Sequence, residues 1–447
     1  MRAREFTKLK EFAPPGQNAS VEQEKKDIMV LLGFRPSKDA LAQIQSILGT
    51  AEPAQPKVNA APGVKKQPIA RPQVNPTERN PANTEPTNPE TDELKEDLSL
   101  IDALVDRIKK LDPSNSADAS KIIKIEAILE EDVIEPAIMA IVKKKFNSFI
   151  DIISNDIKNA IISASNPVLD KIKFLTKCNK GLINLKKVLR DKANGNVYAL
   201  INDPVFENIK KRLGQIEYGT GGNKLGRMEA LLAFISAGVT KQGSGDLTLP
   251  GNMELEVKAS SQDKKGGTSG AVLVALGKDK ETGETAYGSN LQAGKLWFNA
   301  MQKVLPKVPS SLNSKSINTE INPYIAGDAK KINHTVNAIK EVYSFIFRHA
   351  DSKMLAPLDS IKSKDGIDAG ALIKAARQIE FDYYKKLIKH DAILFVNSHT
   401  GAYRYVETGQ QLANELTSSK KGSNFYSTGI LDMRGTYGNG LSKIFIS

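Results

Sequence analysis

Residues 245–258 read Gly-Asp-Leu-Thr-Leu-Pro-Gly-Asn-Met-Glu-Leu-Glu-Val-Lys. A proline followed by a glycine is typical of a tight turn, and apolar residues alternate with polar ones on both sides of it. The stretch therefore predicts two short strands joined by a Pro-Gly turn. Side chains alternate along a strand, so Glu254, Glu256 and Lys258 should project to one face of the hairpin.

Asp246 lies on the first strand of this predicted hairpin, which adds a third carboxylate beside one ammonium group. Like charges on one face are costly unless something positive lies among them. A divalent metal held by carboxylate oxygens would supply that charge. The alternative is a solvated acidic strand on which Lys258 neutralises Glu256.

The composition favours a polyanionic partner. The chain has 447 residues, 40% of them apolar, and a formal net charge of +12. That charge favours nucleic acid first and an anionic membrane surface second. The single cysteine, Cys178, excludes an internal disulfide and a cysteine-based zinc site, and the four histidines are scattered. Without an apolar run of about 18 residues or a secretory leader, we expect no membrane contact and a soluble, cytoplasmic protein.

The chain before the hairpin should divide into three segments. Residues 1–50 predict a small helical head, in which Ser37 caps an amphipathic helix. Residues 51–91 are rich in proline and predict a disordered linker. Residues 92–214 have apolar residues at helical spacing and predict an all-helical domain with lysine-rich polar faces.

Residues 215–447 predict a domain of mixed α and β structure that contains the hairpin. Further strands are expected at 271–276, 392–396, 403–406, 429–433 and 444–446, with a mainly helical insertion at about 288–390. The fold class is therefore α+β or α/β. A glycine-rich segment, residues 219–226, lacks the Gly-Lys-Ser/Thr ending of a phosphate-binding loop, and we reject that interpretation.

A helix predicted from about Arg227 to Ala237 precedes the hairpin. Glu229 lies beside its buried stripe, where its side chain can lean into a cleft next to the sheet. The alternative is an ordinary first-turn glutamate that the helix dipole favours.

These elements resemble the PD-(D/E)XK nuclease superfamily over about 40 residues, 219–258. Asp246 matches the motif aspartate, and after nine intervening residues Glu256-Val257-Lys258 matches the (D/E)XK element. Glu229 matches the accessory helical acid. Gly245 replaces the proline that commonly precedes the aspartate, and the superfamily tolerates this change.

The resemblance implies a site and a cofactor. Asp246, Glu256 and the Val257 carbonyl would hold Mg²⁺, for which Mn²⁺ can substitute, and Glu254 is an alternative ligand. Lys258 would orient the attacking water or stabilise the charged transition state.

The loop that follows the hairpin is rich in hydrogen-bond donors. Lys264, Lys265 and Gln262 are candidates to contact the DNA backbone there. The alternative is an ordinary flexible loop.

The sequence therefore predicts a Mg²⁺-dependent DNA endonuclease. One alternative is a phage virion, assembly or packaging protein that carries a nuclease-like domain, and another is a restriction-type endonuclease. Expected partners are DNA and either further copies of the chain or phage particle proteins. The expected location is the cytoplasm of a bacterium or of an infected host cell, or a virion.

Overall fold

The structure is a computed structural model. It describes most of residues 21–49, then 100–220, 223–241, 246–262, 268–269, 271–273, 286–416, 424–433 and 441–446. The predicted linker, 51–91, lies outside these residues. The chain forms two compact units, Met1–Ile134 and Glu135–Ser447. No helix in the described ranges is both long and apolar enough to cross a bilayer.

The first unit is helical where it is described. Helix α1 (Lys38–Leu48) begins at Ser37, whose hydroxyl accepts a backbone N–H from the first turn, as the sequence predicts. The same hydroxyl donates to Asp132 at 2.6 Å. Residues 100–109 are also helical, and they precede the long helix α2 (Ser116–Lys145). The polar ends of α1 are therefore satisfied within this unit.

The second unit opens with helices that pack on its later elements. These are α3 (Ile150–Ile162), α4 (Val168–Lys180), α5 (Leu185–Asp191), α6 (Pro204–Gly214) and α7 (Glu229–Ile235). Residues 135–214 belong to the same compact unit as the rest of the chain to 447, whereas the sequence predicts a boundary at 214.

A small hairpin and a short strand interrupt this helical region. Strand β1 (Asn194–Asn196) departs from the all-helical prediction, because it pairs with a strand more than 200 residues later. Strands β2 (Tyr218–Thr220) and β3 (Asn223–Leu225) pair with each other just before α7.

The main sheet of the second unit is mixed. Its path is β1-β12-β11-β5-β4, with β6 paired to the end of β5. β5 and β11 are parallel, and the other pairs are antiparallel. Every residue of β11 is buried, as is usual for a strand with a parallel neighbour and covered faces. The strands are β4 (Leu247–Leu249), β5 (Met253–Gln262), β6 (Thr268–Ser269), β11 (Ala392–Asn397) and β12 (Ala402–Val406).

A second, four-stranded antiparallel sheet has the order β7-β14-β13-β8. Two buried side chains at the ends of β5 and β11, Ser260 and Asn397, donate to the Ile446 carbonyl at 3.1 and 2.8 Å. These bonds connect β14 to the main sheet. The strands are β7 (Ala271–Val272), β8 (Ser311–Leu312), β13 (Phe425–Asp432) and β14 (Leu441–Ile446).

Residues 286–391 are mainly helical, as the sequence predicts for about 288–390. The short strands β9 (Lys362–Ser363) and β10 (Gly366–Ile367) interrupt this stretch. Its helices are α8 (Asn290–Met301), α9 (Ser314–Ser316), α10 (Asn322–Ile325), α11 (Ala329–Ile346), α12 (Ser352–Leu355) and α13 (Ala369–Ile388), and α14 (Gly409–Glu415) follows β12.

Helix α13 covers one face of the main sheet. Its Phe381 and Tyr384 share a buried cluster with Ile393 and Phe395 of β11. In register, Ile393 is opposite Glu256 and Phe395 is opposite Lys258. Residues opposite each other in a sheet project to the same face, so the charged residues of β5 face the helix. The chain is thus a mixed α and β protein in which α13 lies over the predicted motif.

Candidate functional site

The predicted hairpin is present and its register is defined. β4 and β5 pair antiparallel, with Leu247 opposite Leu255 and Leu249 opposite Met253. The connecting turn uses Gly251 at φ 81° and Asn252 at φ 57°. Glycine and asparagine are the residues that adopt this left-handed backbone most readily, which explains the abrupt reversal after Pro250.

Asp246 lies at the entrance of β4 and is held by the neighbouring strand. Its Oδ2 accepts the Val257 N–H at 2.9 Å. In a strand, the N–H and C=O of one residue point to the same side, so the Val257 carbonyl also faces the side on which Asp246 lies. The Asp246 side chain remains 24% exposed, which leaves it accessible from solvent.

Glu229 begins helix α7, all of whose residues are buried. Its Oε1 accepts the Gly226 N–H at 2.8 Å. A Cβ on Gly226 would collide with this oxygen, so glycine is what lets the carboxylate approach the backbone. At the other end of α7, the buried Lys145 ammonium donates to the Ala233 carbonyl at 2.7 Å. The glutamate is therefore held on a helix that is fixed at both ends.

A lysine outside the predicted motif connects the two carboxylates. Lys241 Nζ lies 2.5 Å from Glu229 Oε2 and 3.8 Å from Asp246 Oδ1. It also donates to the backbone carbonyl of Asp246 at 3.3 Å. We call Glu229, Lys241, Asp246, Glu256 and Lys258 the hairpin cluster.

Glu256 is the most heavily bonded member of the cluster. Its Oε1 accepts the Tyr384 hydroxyl at 2.5 Å and lies 2.8 Å from Lys258 Nζ. Its Oε2 lies 2.9 Å from His390 Nδ1. The Lys258 ammonium also lies 4.8 Å from the centre of the Tyr384 ring, within the range of a cation–π contact. Glu256 thus holds Lys258 in place between its own carboxylate and an aromatic ring.

The three carboxylates differ in their affinity for a proton. Burial, together with the charge of Asp246, raises the pKa of Glu229 to about 8. Burial and the charge of Glu256 raise the pKa of Asp246 to about 6. Burial opposes ionisation of Glu256 too, but Lys258, His390 and Tyr384 overcome it and lower its pKa well below the usual glutamate value. Glu256 is firmly anionic, whereas Glu229 and Asp246 bind a proton more readily than exposed carboxylates do.

The donor chemistry suits a hard divalent cation, since Asp246, Glu229 and the Val257 carbonyl offer oxygens near one another. In the structure, the ammonium group of Lys241 lies between the carboxylates of Glu229 and Asp246. In the ranges that the structure describes, no three His, Cys, Asp or Glu side chains are grouped so that they could hold a metal ion. Lys241 lies between Glu229 and Asp246, and both oxygens of Glu256 are engaged. A metal would therefore compete with these contacts.

The sequence also predicts roles for Glu254, Gln262, Lys264 and Lys265. Glu254 accepts the Thr248 hydroxyl at 3.1 Å, nearer the turn of the hairpin. Gln262 is described only as the last residue of β5. Lys264 and Lys265 lie outside the described residues.

An apolar groove of about 410 Å³ lies on the helical insertion and is lined by residues that include Trp297, Phe298 and Met433. None of its lining residues belongs to the hairpin cluster. Its apolar walls do not suit a polyanion, so we assign the chemistry to the cluster.

Sequence reasoning missed Lys241, Tyr384 and His390. Tyr384 and Glu256 are 128 residues apart, and the parallel pairing of β5 with β11 brings them together. Lys241 gave a weak signal, since it is a lysine five residues before the motif aspartate. His390 also gave a weak signal, because it precedes a strand with a continuous apolar run.

Comparison of the chain with family models, with curated proteins and with solved structures finds no match.

Proposed function

We propose that the chain is a Mg²⁺-dependent DNA endonuclease whose active site is the hairpin cluster. The observation that carries the proposal is the convergence of four predicted residues. Asp246 is bonded to the backbone between Glu256 and Lys258, and Glu229 reaches Asp246 through the Lys241 ammonium. Four positions inferred from a short motif thus lie in one partly buried polar cluster.

The order of elements supports the same proposal. A helix bearing an acid, α7, precedes the hairpin β4–β5. A second helix, α13, then leads into β11, which is parallel to β5. This arrangement is compatible with the resemblance to PD-(D/E)XK nucleases, and it places Tyr384 of α13 over the motif lysine.

Each residue has a role that follows from its contacts. Asp246, the Val257 carbonyl and either Glu256 or Glu229 would hold Mg²⁺. When bound, Mg²⁺ stabilises charge on the phosphoryl oxygens and lowers the pKa of water. Lys258 would place a positive charge beside the transferring phosphoryl group. Glu256, whose low pKa keeps it ionised, holds that ammonium in position, and Tyr384 restricts its movement.

The charge distribution suits DNA. Lys186 donates to the Pro250 carbonyl at 2.8 Å, which places its ammonium at the turn of the hairpin. The net charge of +12 favours contact with phosphates throughout the chain. We therefore take the DNA backbone as the substrate.

Supercoiled plasmid provides the test. We expect the wild-type protein to nick or linearise it with Mg²⁺ and not with EDTA, and we expect Lys258→Ala to be slower by about 100-fold. The matched control is Lys177→Ala, because Lys177 pairs with the buried Asp203 at 2.9 Å outside the cluster. Equal rates for wild type and Lys258→Ala, or no Mg²⁺-dependent cleavage at all, would contradict the proposal.

A second candidate is a phage assembly or packaging protein that keeps a nuclease-like domain without cleaving DNA. The observation in its favour is that Lys241 and Lys258 already pair with carboxylates of the cluster, as they would in a purely structural role. A protein that does not cleave DNA but forms a closed ring, detected by light scattering, would favour this candidate.

A further inference from the structure

The ammonium of Lys241 lies where a cation bound to the acids would be expected. It is 2.5 Å from one oxygen of Glu229 and 3.8 Å from one oxygen of Asp246. The Lys241 side chain is 14% exposed and that of Glu229 is 5% exposed, so water screens the attraction only in part. This ion pair therefore makes a larger contribution than one between exposed side chains.

Hydrogen bonds hold the backbone of Lys241 and of the residue before it. Its N–H donates to the Lys145 carbonyl at 2.7 Å, at the end of α2. The preceding residue, Thr240, exchanges two backbone hydrogen bonds with Thr248 of β4, at 3.0 and 2.7 Å. The Lys241 ammonium therefore reaches the cluster from a backbone position that hydrogen bonds hold in place. The four-carbon side chain can still rotate away without moving the backbone.

The charges of the cluster nearly balance without a metal. When all three acids are ionised, Glu229, Asp246 and Glu256 carry three negative charges, and Lys241 and Lys258 carry two positive ones. His390 lies beside Glu256. A divalent ion added next to Asp246 would meet repulsion from Lys241 at 3.8 Å from that carboxylate. Metal entry and the Lys241 ion pair therefore oppose each other.

We propose that Lys241 is an internal cation that holds the metal site closed, and that a divalent metal binds by displacing its ammonium from Glu229 and Asp246. The proposal rests on the proposed function, because it requires the cluster to bind a metal. Lys241 acts here as a positioning residue that sets the metal concentration needed for activity. It keeps the acids neutralised, and so keeps the fold intact, when no metal is present.

Titration calorimetry with Mn²⁺ tests the proposal without any substrate. We expect Lys241→Met to bind Mn²⁺ about tenfold more tightly than the wild type does, since the competing charge is gone. The matched control is Lys177→Met, which removes the same charge from the buried Asp203 and should leave Mn²⁺ affinity unchanged.

Thermal melting gives a second readout. Without metal, Lys241→Met should melt below the wild type, because the buried Glu229 and the partly buried Asp246 lose their shared cation. Mn²⁺ should then raise its melting temperature by more than it raises that of the wild type. Lys241→Gln, which keeps a hydrogen-bond donor, serves if Lys241→Met does not fold.

The outcomes separate the two proposals. If wild type and the Lys241 variants bind Mn²⁺ equally, and Asp246→Asn abolishes binding, the role of Lys241 is overturned and the metal site stands. Weaker binding by the Lys241 variants overturns it too. If none of these proteins binds Mn²⁺, both the role of Lys241 and the proposed function are overturned.

Discussion

Replacing Asp246 with asparagine should lower the rate of Mg²⁺-dependent plasmid cleavage by about 10³-fold, because a metal ligand in an electrostatically organised site is lost. The same change should not destabilise the fold. The pKa of Asp246 is raised to about 6 in the folded protein, so its ionised form is penalised at neutral pH. Asparagine removes that penalty and can still accept the Val257 N–H. The free energy of unfolding should therefore be unchanged or higher by about 1 kcal/mol.

Opposite effects on activity and stability distinguish a functional acid from a structural one. Asp391→Asn is the matched control, because Asp391 accepts the N–H of Glu254 on the same strand, also at 2.9 Å, but lies outside the hairpin cluster. It should retain cleavage. Cleavage by Asp246→Asn at the wild-type rate, or loss of cleavage accompanied by unfolding, would contradict the assignment of Asp246.

Replacing Glu256 with glutamine should instead destabilise the protein, by about 3 kcal/mol at neutral pH. Glu256 is 6% exposed and is the anion shared by Lys258, His390 and the Tyr384 hydroxyl. Glutamine keeps the shape but leaves the partly buried Lys258 ammonium uncompensated. Urea denaturation of the two proteins measures the difference.

The pH dependence of this difference follows from the pKa of Glu256. That pKa is depressed in the folded state, so the carboxylate stabilises the fold above its unfolded value of 4.5, and this stability is lost as the pH falls below that value. The difference in the free energy of unfolding between wild type and Glu256→Gln should therefore be largest at neutral pH and smaller under acid conditions. Glu254→Gln, on the same strand and face, should change stability little. A difference that does not depend on pH would contradict the role of the charge.

Much of the hairpin could be predicted from the sequence because its determinants are local. The Pro-Gly pair fixes the turn, and the alternation of apolar and polar residues fixes which face Glu256 and Lys258 share. The helix that carries Glu229 is also local, since its apolar residues lie within a few turns. These elements depend on backbone propensities that act over short distances.

The partners of the cluster could not be predicted in the same way. Tyr384 and His390 reach Glu256 only because α13 and β11 return to the sheet beside β5, a pairing that depends on the whole fold. The sequence also indicated that the acids need a positive partner, and a metal was the expected one. The structure adds the Lys241 ammonium beside Glu229 and Asp246, and its position depends on backbone contacts with the end of α2 and with β4. Side-chain geometry of this kind is a tertiary property.

The most direct test is an anomalous diffraction measurement on crystals soaked in Mn²⁺. We expect one Mn²⁺ peak in contact with Asp246 and the Val257 carbonyl, with the Lys241 ammonium moved away from Glu229. Crystals that show no Mn²⁺ at Asp246, with Lys241 still bridging Glu229 and Asp246, would contradict a metal-dependent active site in this protein.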